Sequence, residues 1–475
     1  MPIFDAASSQ GMPAPYWLVE FFKTLGFALH MIPMGLWLVG IPTCLLLWLL
    51  GGVTSKRLAQ RFFQQIPVIV AFGVCSGVLP LLFTQLAYPK AFYTSTILLG
   101  AHWFAIIPLF LIAYYASCFA ASGAKAEKIW RTAFYVCVAS CCYFVIGLIF
   151  SSVWTFFERP YEWESIWSNS SISLGKVVSK GGGTSNGLGV YWSDLTIPLR
   201  FAGIVGMGFF ALATWFVFDA YYLYRGPRKL TAEEQSKLRA ADSSEESGEG
   251  KKARVPRKPI QENAEKYAYW TTSLAFLLLL PGLLIAAAAI GKYALQSSAS
   301  LEHDENWNPV LWNVLLGGMG ASMVFPFLFI LLNKLKKIGG RTLAIMLIIC
   351  EGFLVGFYAT MRQILQNIRL RPYFNVCDAS ASDSFSWLPI ISFFVILALV
   401  SSIIIVIVSI LAPHDKKRSS RKPRKAAKEL KTSDSGKSES KEPQKNVSGN
   451  VQRTNAVPNT QQIRTLNGRS NLRRQ

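Results

Sequence analysis

Two of the four histidines in this chain lie in strongly apolar segments, where an ionisable side chain is costly and marks a functional site by default. His30 lies in FALHMIPMGLWLVG and His102 in STILLGAHWFAIIP. Imidazoles from two helices at a similar depth are what axial ligation of a b-type haem requires. In the alternative, the histidines have a structural role, and each ring donates a hydrogen bond to a carbonyl freed by a nearby proline, Pro33 for His30 and Pro108 for His102. Quinone or proton handling is the third interpretation.

Two carboxylates also fall inside apolar segments. Glu351 is near the middle of LIICEGFLVG, and Asp219 is near the end of FVFDAYYLYRG. A carboxyl at mid-depth is protonated or paired, so Glu351 is the candidate for proton handling, with a structural pairing as the alternative. Asp219 is close enough to Arg225 to predict an ordinary ion pair at the membrane interface.

A polar pocket is predicted between the first three helices, on the side where the first one begins. Gln85 near the end of the second helix, together with FYTSTIL at the start of the third, would lie at the depth of His30. Arg362, Arg369 and Arg371 fall on the same side and would pair with haem propionates or with an acidic cytochrome. We therefore expect a quinone headgroup or a haem edge in this pocket.

Several chemistries find no support in the sequence. No CxxCH or CxxC occurs among the eight cysteines, which excludes standard covalent c-type haem attachment and disfavours zinc or iron–sulfur sites. Phosphate loops, nucleophile elbows and HExxH are also absent, so a hydrolase or an ATP-driven motor is not indicated. Haem iron is the one metal that we consider, and whether the protein is an enzyme is left open.

The elements that must position these residues are membrane-spanning helices. Apolar residues come in blocks of about 20 or more, the length needed to cross a bilayer, and backbone groups in hydrocarbon must be paired within each block. The predicted fold is an all-α polytopic membrane protein of about nine helices. The blocks are 24–51, 66–88, 93–120, 131–156, 197–223, 268–294, 309–333, 342–362 and 386–412.

Loop charges predict the orientation. SKRLAQR, NKLKKIGGR and the ends of the fifth loop are basic, whereas the intervening loops are poorer in Lys and Arg or carry acids. The positive-inside rule then places the N-terminus outside and the C-terminus in the cytoplasm. Arg362 at the end of the eighth block and Arg369 and Arg371 after it run against this pattern. No cleavable signal peptide is evident, and YWLVEFF is expected to lie at the outer interface before the first helix.

Five regions follow from this pattern: an external segment 1–23, helices in 24–224, a charged cytoplasmic linker 225–267, helices in 268–412, and a disordered basic tail 413–475. The net charge is +21, and basic residues are concentrated in the tail. Anionic lipid headgroups are its favoured partner, because each Lys or Arg near the surface contributes about 1 kcal/mol of attraction. Nucleic acid or an acidic protein is a less favoured partner.

Three stretches together resemble a group of bacterial polytopic inner-membrane proteins associated with respiratory electron transfer and c-type cytochromes. They are ALHMIPMGLWLVG, GVLPLLFTQLAYPKAFYTSTIL and MRQILQNIRLRPYFNVCD. The resemblance runs from the first to the ninth helix and excludes the fifth loop and the tail. It implies the bacterial inner membrane, with quinones, a c-type cytochrome or respiratory complex subunits as neighbours. It carries over no catalytic residue.

Three functions compete. The favoured one is an inner-membrane subunit of a respiratory electron-transfer system that binds quinone or b-type haem near the outer face, through His30, His102, Gln85 and Arg369. The second is a transporter or channel with Glu351 and Asp219 along its path. The third is a membrane anchor or assembly factor whose basic tail recruits a cytoplasmic partner.

Overall fold

A computed structural model describes residues 14–171, 185–224 and 258–374 apart from 303 and 306, together with 391 and 395. The chain divides into two units, Met1–Ile390 and Ile391–Gln475, and the architecture given below belongs to the first.

The described part of the chain is helical and contains no strand. The first span is α1 (Tyr16–Gly35), a π turn (Leu36–Gly40) and α2 (Ile41–Leu50). The next helices are α3 (Val53–Ala87), α4 (Pro89–Leu98), α5 (Gly100–Lys125), α6 (Ile129–Phe157) and α7 (Trp163–Ser171). Then come α8 (Thr196–Phe218) with a π turn (Asp219–Leu223), α9 (Lys258–Leu301), α10 (Pro309–Lys334) and α11 (Gly340–Leu370).

Eight of these segments are long and apolar enough to cross a membrane, which confirms the prediction of an all-α polytopic membrane protein. Large apolar side chains point outward from them, as lipid-facing surfaces require; Phe104 is 70% exposed and Leu284 is 72% exposed. The predicted ninth span, 386–412, lies outside the described residues except for two helical positions, 391 and 395.

The first helix begins earlier than predicted. YWLVEFF does not precede the span but forms the first two turns of α1, where Leu18 and Val19 are buried. Further along, Pro42 has no N–H for the carbonyl four residues back, and the helix passes this point through the π turn Leu36–Gly40.

The predicted third span, 93–120, is broken at Leu99 into α4 and α5. The backbone groups freed there are taken by the segment before α8 rather than by the helix itself. The Ala101 N–H donates to the Gly187 carbonyl at 2.7 Å, and the Gly189 N–H donates to the Leu98 carbonyl at 3.0 Å. Gly187 has φ of +70°, a conformation that favours glycine. The break therefore depends on a contact between distant parts of the chain.

Helix α8 is the most enclosed of the candidate spans, with 67% of its apolar window buried. It packs closely on α1 and α9 through glycines. A Cβ on Gly35 would lie 2.7 Å from Gly208 Cα, and one on Gly206 would lie 2.5 Å from the backbone nitrogen of Ala286. Small residues that let backbones approach are typical of packed membrane helices.

The bundle has two ends, named here after a buried carboxylate at each. The Glu158 end is where α1, α8 and α5 begin and α6, α9 and α11 end. At the Asp219 end, exposed basic residues gather at the helix termini, including Lys56, Lys125 and Arg341. The prediction that the Asp219 end faces the cytoplasm follows from this distribution and stays a prediction.

A buried polar network ties α1 to α11 at the Glu158 end. Lys23 is 2% exposed, forms an ion pair with Glu20 at 2.8 Å, and lies 4.8 Å from the centre of the Tyr88 ring. The Tyr88 hydroxyl donates to Asn367 at 2.9 Å, and the Asn367 amide donates to the Tyr16 hydroxyl at 2.7 Å. Each of these groups has a partner, so the network is structural.

Candidate functional site

Glu158, directly after α6, is the centre of a buried charged cluster. Its Oε2 accepts hydrogen bonds from Arg200 on α8 and from Arg369 on α11, the latter at 2.8 Å. The Tyr293 hydroxyl on α9 lies between the two guanidinium groups, 2.9 Å from Arg200 and 3.3 Å from Arg369. Arg369 also donates to Ser297 at 3.0 Å. Four helices therefore meet at one carboxylate.

Positive charge exceeds negative charge in this cluster. Burial by itself would raise the pKa of Glu158, but the guanidinium groups of Arg200, Arg369 and Arg362 outweigh it and hold the pKa below its ordinary value. Arg362 lies over two aromatic rings, 4.3 Å from the centre of Phe27 and 5.1 Å from that of Trp154. Such contacts only partly offset the cost of burying a cation.

Several polar atoms of the cluster are buried without a partner among the described residues. They are Oε1 of Glu158 and the Nε and Nη1 groups of Arg200. Leaving such groups unpaired costs about 1–3 kcal/mol each, and more when they are charged. The cluster therefore has free hydrogen-bonding capacity for water or a ligand, and it attracts acceptor atoms in particular.

A second ion pair lies beside the cluster. Arg159 contacts Asp194 at 2.5 Å and donates to Thr196 at 3.1 Å. Asp194 also accepts from the Thr196 backbone N–H at 2.7 Å, at the start of α8, and from the Tyr191 hydroxyl at 3.0 Å. Burial would raise the pKa of Asp194, but the hydrogen bonds from Thr196 and the charge of Arg159 outweigh it, and the pKa is lowered. Both carboxylates are therefore ionised at neutral pH.

Arg369 of the charged cluster and both members of the second ion pair, Arg159 and Asp194, line one cavity of about 550 Å³ at the Glu158 end. Its polar walls are formed by Arg159, Asp194, Thr196, Tyr293, Gln296, Ser297, Ser300 and Arg369. The cavity offers hydrogen-bond donors on the side of α9 and α11 and a carboxylate on the side of α8. A polar headgroup with carbonyl or hydroxyl oxygens matches that arrangement.

His30 contacts a backbone carbonyl, as the structural alternative to haem ligation predicts, but the carbonyl belongs to another helix. Its Nδ1 lies 2.7 Å from the carbonyl oxygen of Gly73 on α3, so the partner is not a carbonyl freed by Pro33. A Cβ on Gly77 would come within 2.7 Å of the imidazole ring, so the ring fits because that residue is glycine. Nδ1–H donation would leave the Nε2 lone pair free, as in metal-bound histidines.

Two other predicted site residues, His102 and Gln85, are not among the residues that line the cavity. His102 is the third residue of α5, and its Nδ1 is buried without a partner in the described part of the chain. Its ring centre is 6.2 Å from that of Trp192. Gln85 is half-buried near the end of α3. The hydroxyls of Ser95 and Thr96, expected in the same pocket, bond back to the Phe92 carbonyl.

Glu351 and Asp219 have contrasting surroundings. Glu351 is 4% exposed in the middle of α11, and no charged partner is found for it among the described residues. Asp219 is fully buried in an ion pair with Arg61, at 2.7 Å, and accepts from the Tyr267 hydroxyl at 2.7 Å. The predicted ion pair thus forms with Arg61; Arg225 lies outside the described residues. A closed pair of this kind does not favour Asp219 as part of a transport path.

Of the predicted site residues, Arg369 alone is found among the residues that line the cavity. The other residues of the cavity and of the charged cluster behind it were not predicted from the sequence, although one signal was visible. Arg200 falls inside the predicted span 197–223, where an ionisable residue marks a functional or paired site. Glu158 lies in a loop noted only for its acidity. Its role depends on three segments that are distant in sequence.

No protein-family profile matches the chain, and no curated protein is similar to it. Among solved structures, the bd oxidase from Geobacillus thermodenitrificans is similar to 85% of this chain over 97% of its own, with a TM-score of 0.48 and 12% identity. A likeness of this extent transfers no residue role to this chain.

Proposed function

We propose that this chain is the membrane subunit of a respiratory electron-transfer system and that the cavity at the Glu158 end binds a quinone headgroup. The observation that carries the proposal is the placement of Arg369. This residue lines the 550 Å³ cavity with Tyr293 and Ser297 while bound to Glu158. The resemblance in the three sequence stretches implies the respiratory setting. A c-type cytochrome or another respiratory subunit would be its partner.

The cavity chemistry suits quinone and quinol. Quinone carbonyl oxygens would accept hydrogen bonds from the Arg369 guanidinium and from the Ser297 hydroxyl. A quinol hydroxyl would donate to Asp194, which is ionised at neutral pH because its pKa is lowered. The excess of guanidinium groups stabilises the anion that forms when the quinol loses a proton. Arg200, behind this wall, adds to that field without reaching the cavity surface.

Substitution of Arg369 by alanine is expected to weaken quinone binding about tenfold to a hundredfold, the effect of losing a charge-assisted hydrogen bond of roughly 1.5–3 kcal/mol. The measurement is quenching of tryptophan fluorescence in the purified protein by a short-chain ubiquinone and a short-chain naphthoquinone. Arg131→Ala, an exposed arginine at the Asp219 end, is the matched control. Equal affinities in the two variants, or no saturable quenching in the wild type, would overturn the assignment of the cavity.

A b-type haem at His30 is the second candidate, favoured by the Nδ1 contact to Gly73 that would leave Nε2 free. A bound haem would supply one-electron transfer. His30 would hold its iron, and the backbone contact to Gly73 would fix the ring. His102 stays the proposed second ligand, with an unpartnered Nδ1 among the described residues.

A reduced-minus-oxidised optical spectrum of the purified protein tests the haem. We expect a b-type band that is lost in His30→Ala and retained in the control Gln64→Ala, a change of an exposed glutamine on α3. Loss of the band in His102→Ala as well would identify the second ligand. A folded wild-type protein without any haem band would leave His30 with its backbone contact as its whole role.

A further inference from the structure

The turn between α10 and α11, at the Asp219 end, concentrates exposed positive charge. Residues 333–341 read NKLKKIGGR and contain four cations and no acid. The cations are all exposed, and they are Lys334, Lys336, Lys337 and Arg341. None of them is paired with a carboxylate in the described part of the chain. The turn between α5 and α6, residues 125–131, carries three cations and one acid, Glu127. The α10–α11 turn therefore attracts anions more strongly.

The backbone of the α10–α11 turn is held in place by its own bonds. Lys336 has φ of +58°, a conformation that glycine adopts at lower cost than other residues. Its N–H donates to the Asn333 carbonyl at 2.9 Å, which caps the end of α10. The Asn333 side chain accepts from the Tyr221 hydroxyl at 3.3 Å and donates to the Ile338 carbonyl at 3.0 Å. The lysines are therefore presented from a fixed backbone, and one of them occupies a position that favours glycine.

An aromatic and apolar surface borders this turn. The Lys334 ammonium lies 5.9 Å from the centre of the Tyr269 ring and 5.3 Å from that of Phe276, both on α9. Tyr269 is 66% exposed, as tyrosines at the level of lipid headgroups are. Further into the same two helices, Leu277 on α9 and Leu331 on α10 are also exposed. Cations above an apolar wall match an amphiphile with an anionic head.

We propose that the α10–α11 turn binds the phosphate of an anionic phospholipid whose acyl chains lie along α9 and α10. The unesterified phosphate oxygens accept hydrogen bonds from Lys334, Lys336 and Lys337, and each cation adds to the attraction. A lipid is favoured over free phosphate because only acyl chains bury the apolar surface below the turn. The site belongs to the helical bundle and not to the basic tail. It does not depend on quinone or haem binding.

Native mass spectrometry of the full chain in detergent, with phosphatidylglycerol added, measures the affinity for the lipid. Lys336→Gly removes one cation and places glycine at φ of +58°, so the turn should fold as in the wild type. We expect the affinity to fall about fivefold, the effect of losing one lysine near the headgroups. Glu127→Gly is the matched control, because Glu127 has φ of +55° at the corresponding position of the α5–α6 turn. It should bind the lipid at least as tightly as the wild type.

Two triple variants separate a site from diffuse attraction, and the basic tail is unchanged in both. Lys334→Gln/Lys336→Gln/Lys337→Gln should lower the affinity about thirtyfold or more. Lys56→Gln/Lys125→Gln/Lys128→Gln removes the same charge from other turns at the Asp219 end and should lower it much less. Equal losses in the two triple variants would overturn the proposal, as would wild-type affinity in both Lys336→Gly and the first triple variant.

Two further ligands test the chemistry of the site. Phosphatidylcholine, which has the same phosphate but no net charge, should bind more weakly than phosphatidylglycerol. Inorganic phosphate at the same concentration should leave no adduct, because it has no acyl chains. Binding of phosphatidylcholine as tight as that of phosphatidylglycerol would refute the requirement for an anionic lipid. Equally tight binding of inorganic phosphate would refute a lipid as the ligand.

Discussion

Replacing Glu158 with alanine is expected to destabilise the protein by about 3–5 kcal/mol, the usual cost of removing one partner from a buried ion pair. The carboxylate is 2% exposed and offsets the charges of Arg200 and Arg369 together. Without it these guanidinium groups remain enclosed at the junction of α8, α9 and α11 and repel each other. SDS-induced unfolding of the detergent-solubilised protein measures the loss.

The exposed carboxylate Glu164 on α7 provides the control, and Glu164→Ala should change stability by less than about 0.5 kcal/mol. Adding Arg369→Ala to Glu158→Ala should cost less than the sum of the two single changes, because the double variant removes a charge together with its partner. Additive losses would show that Glu158 and Arg369 are not coupled, contrary to their 2.8 Å ion pair.

The same carboxylate sets a pH dependence. The folded-state pKa of Glu158 is lower than its ordinary value of 4.5, so ionisation stabilises the fold at every pH above 4.5. The stabilisation is lost as the pH falls below 4.5 through the folded-state pKa. The stability gap between the wild type and Glu158→Gln should therefore be constant above pH 4.5 and shrink below it.

The sequence predicts features that depend on local composition and misses features that depend on contacts between distant segments. Span length depends on local apolar composition, which is why eight predicted spans reappear within the described residues. The break at Leu99 depends on backbone bonds to Gly187 and Gly189, about 90 residues away, and could not be seen locally. The early start of α1 was missed because aromatic residues near a span were assigned to the membrane interface.

The candidate site also combines a feature that the sequence predicts with one that depends on long-range contacts. A single sequence gives the depth of a residue in the membrane but not the direction in which it faces. Depth placed Arg369 at the end where the first helix begins, whereas its partner Glu158 required the arrangement of α6, α8 and α11. The arginines at and after the end of the eighth block counted against the predicted orientation. Arg362 and Arg369 lie within α11, beside a carboxylate that offsets part of their charge.

The ion pair at the Asp219 end predicts an unequal effect of its two halves. Asp219 is 0% exposed, whereas the Arg61 side chain is 27% exposed. Arg61→Met would leave a fully buried carboxylate with Tyr267 as its remaining donor, whereas Asp219→Leu would leave a guanidinium that still reaches water. We expect a loss of about 3–5 kcal/mol for Arg61→Met and a clearly smaller one for Asp219→Leu.

SDS-induced unfolding of both single variants and of the double variant Arg61→Met/Asp219→Leu checks this asymmetry, with the exposed arginine in Arg131→Met as control. The double variant should be more stable than Arg61→Met alone, since a buried pair replaced by apolar side chains costs little. Equal losses in the two single variants would mean that the exposed fraction of Arg61 does not determine the energy. In that case the Tyr267 hydroxyl, which donates to Asp219 at 2.7 Å, would be the main support of the carboxylate.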